Sequence, residues 1–100
     1  MAETLRDVSV RNEILMLKMV IRLLEEGMIS DLVIVTLPSD GSPANASFID
    51  PPTRTADLLE VLDTVKHWVT RASEMQGSGH EELLTKQLQN INRKAEKALG

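Results

Sequence analysis

The chain has 100 residues, of which 42% are hydrophobic, and a formal net charge of −4; this fits one acidic domain and argues against disorder along its whole length. It contains no cysteine, which excludes disulfides, thiolate nucleophiles and cysteine-ligated zinc or iron–sulfur sites. Phe48 and Trp68 are the only aromatic residues, so Leu, Ile, Val and Met must fill the core, which favours packed helices over a β-sandwich.

The first predicted element is a helix over residues 9–28. Its apolar residues recur at alternating spacings of three and four and form one stripe: Ile14, Leu17, Ile21, Leu24 and Met28. A second apolar row lies beside the stripe and leaves a narrow polar face: Met16, Met19, Val20 and Leu23. An apolar arc this wide predicts that the helix is central in the fold, forms the seam of a homodimer, or does both.

The segment after Gly27 changes character. Residues 32–37 are rich in β-branched side chains and predict a strand that packs against the first helix, with a short helix as the alternative. Residues 38–52 are rich in Pro, Gly and Ser and predict a long loop, from which residues 47–49 can return as an antiparallel partner. Loops of this kind are often functional, so the 38–52 loop is itself a candidate for partner contact.

Two further helices follow. Residues 53–75 carry apolar side chains at positions 58, 62, 65, 69 and 72, and the Gly-Ser-Gly sequence at 77–79 ends that helix. The third helix, over 80–99, has a narrower stripe: Leu84, Leu88, Ile91, Ala95 and Ala98. The prediction is a mainly α fold in one domain over residues 1–100. We expect a compact helical bundle of three main helices, with a short strand or hairpin and a long Pro/Gly/Ser loop between the first two.

Motifs for catalysis and for ligand binding are absent from the sequence. The two histidines, His67 and His80, have no metal-ligand spacing, and neither a phosphate-binding loop nor a G-x-S-x-G sequence occurs. We therefore predict no catalytic, cofactor-binding or metal-binding residues and no cofactor. Residues 1–13 are polar and mixed in charge, unlike a signal peptide, and the apolar run at 28–37 is too short to span a bilayer. We expect a soluble, cytoplasmic protein that does not bind membranes.

Charge is distributed unevenly along the chain. Residues 1–65 carry a net charge of −6 and residues 66–100 carry +2. The acidic residues predicted to bind a partner are Glu25, Glu26, Asp31, Asp40, Asp57, Glu60 and Asp63. An anionic surface suits a larger protein or nucleoprotein complex with a basic surface, and direct binding of nucleic acid is not expected.

The function predicted is that of a small acidic protein-binding protein without enzymatic activity, an inhibitor or adaptor of a larger macromolecular complex. Phage-encoded inhibitors of nucleic-acid machinery, such as anti-CRISPR proteins, exemplify this class. The alternative is a homodimeric structural or regulatory protein whose basic C-terminal helix contacts nucleic acid or another subunit. That helix carries Lys86, Arg93, Lys94 and Lys97. A homodimer is favoured over a monomer because of the wide apolar arc of the first helix.

Overall fold

The computed structural model describes residues 3–100 as three helices and one antiparallel hairpin. Helix α1 spans Leu5–Glu25, strand β1 Val33–Thr36, strand β2 Asn45–Phe48, helix α2 Thr55–Glu74 and helix α3 Glu81–Leu99. The prediction of a mainly helical chain with a short hairpin between the first two helices is confirmed. The segment for which strand and helix were both weighed is a strand.

Local hydrogen bonds fix both ends of α1. The Thr4 hydroxyl accepts a bond from the Asp7 backbone amide at 3.1 Å, and the Asp7 carboxylate accepts one from the Thr4 amide at 3.0 Å. This capping box starts the helix four residues earlier than the sequence pattern predicted. At the other end Gly27 has a φ of 72°, and the Met28 amide donates to the Leu23 carbonyl at 2.9 Å. Glycine adopts this left-handed conformation without strain, so the helix ends there.

The hairpin pairs β1 with β2 in a register from Val33 opposite Phe48 to Thr36 opposite Asn45. In its connecting turn the Asp40 carboxylate accepts a bond from the Ser42 amide at 2.9 Å. Over residues 3–100, neither strand brings a Cα within 8 Å of a helix Cα. The expectation that the apolar run packs against the first helix is therefore wrong for the single chain.

Helices α1 and α3 form the one helix–helix interface within residues 3–100. The Asn92 side-chain amide donates to the Val8 carbonyl at 3.2 Å, and the Asn12 amide donates to the Asn92 oxygen at 2.9 Å. Further along, an Arg22 guanidinium nitrogen donates to the Leu99 carbonyl at 3.3 Å. Because the residue numbers of the paired positions increase together, the two helices run in the same direction.

The interface uses a different face of α1 from the stripe that stood out in the sequence. Val8 and Leu15 are buried, whereas Leu17 and Ile21 of the stripe are 50% and 55% exposed. The contact face of α3 overlaps its predicted stripe in part: Leu88 and Ala95 are half-buried on the side of the buried Asn92, whereas Ile91 is half-exposed.

Helix α2 stands apart from the other two. No side chain within Thr55–Glu74 is buried, and over the described chain no α2 Cα lies within 8 Å of an α1 or α3 Cα. The radius of gyration is 15.7 Å, whereas about 13 Å is typical of a 100-residue domain. The accessible surface is 8422 Å², against about 5,700 Å² for a compact monomer of 11.1 kDa. Closure of the helices into a compact bundle stays a prediction.

Candidate protein-binding surface

Hydrogen bonds of Asp31 join the segment after α1 to the start of α2, and most of the predicted acidic residues flank this junction in the sequence. The Asp31 carboxylate accepts hydrogen bonds from the Thr53 amide at 2.9 Å and from the Arg54 amide at 2.8 Å. These bonds hold the segment that follows α1 against the start of α2. Glu25 and Glu26 precede this junction by six and five residues, and Glu60 follows it by six.

The seven predicted residues fall into two groups by their contacts. Four are engaged locally: Asp31 as just described, Asp40 in the hairpin turn, Asp57 with Arg54 at 2.9 Å and Asp63 with His67 at 3.8 Å. The other three are exposed and, within residues 3–100, form no ion pair: Glu25, Glu26 and Glu60. These three are the acids best available to a basic partner, and Asp31 instead positions the elements that carry them.

Local hydrogen bonds lower the pKa of three aspartates, Asp7, Asp31 and Asp40. The amides of Thr53 and Arg54 lower the pKa of Asp31 below its ordinary value of 3.8. The Ser42 hydroxyl and amide lower the pKa of Asp40, and the Thr4 amide and hydroxyl lower the pKa of Asp7. A general acid or base works best with a pKa near the working pH, and these carboxylates shift away from it.

The hairpin adds an apolar surface that the sequence analysis did not list among the binding residues. Leu37 is 81% exposed and Phe48 is 59% exposed, and Val35 projects beside them. No helix of residues 3–100 packs against the hairpin, so these side chains are exposed to solvent. The sequence did contain a signal for this surface. Phe48 is one of only two aromatic residues and follows a Pro/Gly/Ser-rich turn segment, and aromatic side chains are common anchors in protein interfaces.

A second apolar feature lies between the C-terminal half of α2 and the start of α3. This cleft has a volume of about 480 Å³ and is open to solvent. Its apolar lining comes from three helices: Leu5, Trp68, Ala72, Met75, Leu83 and Leu84. Trp68 is 65% exposed at this cleft. The cleft shows that α2 and α3 leave apolar surface uncovered where they come nearest.

The remaining polar groups offer limited chemistry. Over residues 3–100, no three His, Asp or Glu side chains are grouped as metal ligands. On α3, Glu96, which interrupts the basic tail in the sequence, pairs with Arg11 of α1 at 2.6 Å. Lys94 and Lys97 stay exposed on the same helix and have no acidic partner in the described chain.

None of the helices within residues 3–100 combines the length and the hydropathy needed to cross a bilayer. Comparison with models of known protein families, with curated protein sequences and with solved structures finds no match to this chain.

Proposed function

We propose that this chain is a small acidic protein without enzymatic activity that binds another protein, as an inhibitor or adaptor of a larger macromolecular complex. The partner is a protein or nucleoprotein complex with a basic surface. Complexes that handle nucleic acids present such surfaces, and anti-CRISPR proteins are one class of inhibitor that exploits them. The proposed contact surface, called the acidic end below, consists of the hairpin over residues 33–48 with Glu25, Glu26 and Glu60.

The observation that carries this proposal is an exposed apolar hairpin that follows Glu25 and Glu26 in the chain and precedes Glu60, three exposed acids without an ion pair in the described residues. Leu37 and Phe48 are large, apolar and mostly accessible, and they are covered by no helix of the described chain. Protein interfaces combine a few apolar or aromatic anchors with a polar rim. Here the hairpin supplies the anchors and the glutamates supply the rim, whose charge would orient the approach to a basic partner.

The shifted carboxylates support the non-enzymatic part of the proposal. Asp7, Asp31 and Asp40 all have lowered pKa values because each accepts hydrogen bonds from nearby amides or hydroxyls. Each accepts a bond that stabilises a helix start, a segment junction or a turn. Such groups maintain structure, whereas a general acid or base is most efficient with a pKa near the working pH.

The proposal is tested by capture from a lysate of the native host at moderate salt, followed by charge reversal. The wild-type chain should retain one complex stoichiometrically, and a variant that is reversed at the acidic end should lose it. The matched control reverses three exposed glutamates elsewhere and should bind like the wild type. The test variant carries Glu25→Lys, Glu26→Lys and Glu60→Lys, and the control carries Glu13→Lys, Glu74→Lys and Glu82→Lys.

Both variants undergo the same change in net charge, so a general electrostatic effect would weaken both equally. Loss of binding in the test variant alone, with unchanged helical circular dichroism, supports the acidic end as the contact. Equal capture by wild type and test variant would contradict the proposal. A Phe48→Ala variant examines the apolar anchor separately and should weaken capture at all salt concentrations.

A second candidate function is favoured by the Arg11–Glu96 pair. Since Arg11 neutralises the acid that interrupts the basic tail, α3 presents Lys94 and Lys97 as a positive strip. A homodimeric structural or regulatory protein could use this strip to contact nucleic acid or another subunit. Gel-shift titration with duplex DNA and single-stranded RNA across a salt series tests it, because phosphate contacts weaken steeply as salt rises.

A further inference from the structure

We propose that a second copy of this chain covers the exposed apolar faces of α1 and α2, in a two-fold dimer in which α1 of each chain packs against α2 of the other. This inference goes beyond the proposed function and uses other residues than the acidic end. The α1 seam is defined here as Val10, Ile14, Leu17 and Ile21, and the α2 seam as Leu58, Leu62, Val65 and Val69.

Within residues 3–100, no element covers the α1 seam. Its residues are spaced by four, three and four, which is the heptad spacing of helices that pack side by side. Each of the four is at least 45% exposed. At about 100° per residue, the seam lies about 140° around the helix from Val8 and Leu15, the residues buried against α3. Packing of α3 therefore leaves this face open.

The α2 seam has the same spacing, and three of its four residues are exposed, while Leu58 is half-buried. Leu62, Val65 and Val69 are 40%, 37% and 64% exposed. Glu60 and His67 lie on the opposite side of the helix, so the apolar face is clearly separated from a charged one. An amphipathic helix that buries no side chain gains little from its own fold and requires a covering surface.

The open area matches what a stable dimer buries. The chain exposes about 2,700 Å² more than a compact monomer of its mass. If each chain lost half of that excess, the dimer would bury about 2,700 Å² in total, within the range of obligate homodimers, about 2,000–5,000 Å². The chain thus carries enough exposed area for an obligate interface.

Two properties favour a second copy with α1 facing α2 of the partner. A two-fold axis repeats each contact, so one arrangement covers all four seams at once. Helix α1 has four basic and three acidic residues, whereas α2 has two basic and four acidic residues. Pairing unlike helices therefore brings opposite net charges together, and pairing α2 with α2 would bring like charges together.

The test measures molar mass by light scattering on the purified full chain and three variants. Leu17→Glu alters the α1 seam, Val65→Lys alters the α2 seam, and His67→Lys is the control on the opposite face of α2, one turn from Asp63. Wild type and control should have about twice the 11.1 kDa chain mass, and each seam variant should have the mass of one chain.

Mixing the two seam variants tests the pairing itself. If α1 packs against α2 of the partner, the mixed dimer contains one unaltered seam pair. In its other seam pair, the carboxylate introduced by Leu17→Glu faces the ammonium group introduced by Val65→Lys. The dimer mass should therefore return at an equimolar ratio. Dimeric wild type, monomeric single variants and no recovery on mixing would overturn this pairing.

Two further results would overturn the proposal altogether. One is a wild-type mass of one chain at the highest concentration reached; the other is a dimer that both seam substitutions leave intact. If a seam variant loses its helical circular dichroism, the milder substitutions Leu17→Ala and Val65→Ala replace it in the same measurement. Each should shift the molar mass toward that of one chain at low concentration, and a dimer that both leave intact would overturn the proposal. No foreign partner is needed, so failure here leaves the acidic-end proposal to its own test.

Discussion

Asp31 illustrates how a residue chosen from the sequence for its charge can also have a structural role. The sequence marked it as one of seven acids for a basic partner. In the structure its two oxygens accept bonds from Thr53 and Arg54 and so join the end of α1 to the start of α2. These hydrogen bonds join residues that are separated by 22 and 23 positions in the chain, and contacts at such a distance produce no periodic pattern in the sequence. Such a role becomes visible only when the chain is folded.

This role gives a pH-dependent prediction. The folded-state pKa of Asp31 lies below the ordinary 3.8, so its contribution to stability is present above that value and is lost as the pH falls through the folded pKa. The melting temperature should be constant above about pH 5 and fall toward about pH 2. Asp31→Asn should melt a few degrees lower at neutral pH and should show a shallower fall.

Thermal melts by circular dichroism from acidic to neutral pH measure both effects. Asp50→Asn is the matched control, since this aspartate is exposed and accepts no side-chain hydrogen bond in the described chain. Asp7 and Asp40 also have lowered pKa values, so the Asp31 variant should retain part of the acid-dependent fall. Parallel curves for wild type and Asp31→Asn would contradict the assignment.

Individual helices and the hairpin were predictable, but the faces on which the helices pack were not. Apolar periodicity located all three helices, and β-branched residues located β1. The periodicity also favoured Ile14, Leu17 and Ile21 as a packing face, whereas the chain packs on Val8 and Leu15. A helix with apolar residues on several sides offers more than one row, and the partner decides which row is buried.

Asn92 is the residue that we expect to fix this choice. It is 4% exposed, donates to the Val8 carbonyl and accepts from Asn12. A buried asparagine in a helix interface specifies register because any other alignment leaves its amide unpaired. Asn92→Ala should lower the free energy of unfolding by about 1–3 kcal/mol.

Urea denaturation would show this change as a lower midpoint with an unchanged slope. Asn90→Ala, on an exposed side of the same helix, is the control and should lie within about 0.5 kcal/mol of wild type. The double variant Asn12→Ala/Asn92→Ala should lower the free energy of unfolding by less than the sum of the two single substitutions. The reason is that either substitution removes the same Asn12–Asn92 hydrogen bond. Strict additivity would show that the two amides act independently.

For the whole molecule, composition predicted a helical domain but not how much of its apolar surface a single chain buries. Residue types and spacings determine which surfaces are apolar, and the same apolar face can be buried within a chain or between chains. The first helix raised the expectation of a dimer through the width of its apolar arc. That α2 stands apart could not be read from its sequence, since its stripe resembles that of any core helix.

The small core leads to a prediction about stability as a function of concentration. Among hydrophobic residues of the described chain, Val8 and Leu15 alone are buried, so a single chain gains little free energy from apolar burial. If the dimer supplies the rest, unfolding is linked to dissociation and the melting temperature must rise with protein concentration. We expect a rise of several degrees over a hundredfold range in wild type and in His67→Lys. Val65→Lys should have a lower melting temperature that does not rise with concentration. A concentration-independent melting temperature of the wild type would mean that the single chain is stable with its α1 and α2 seams exposed.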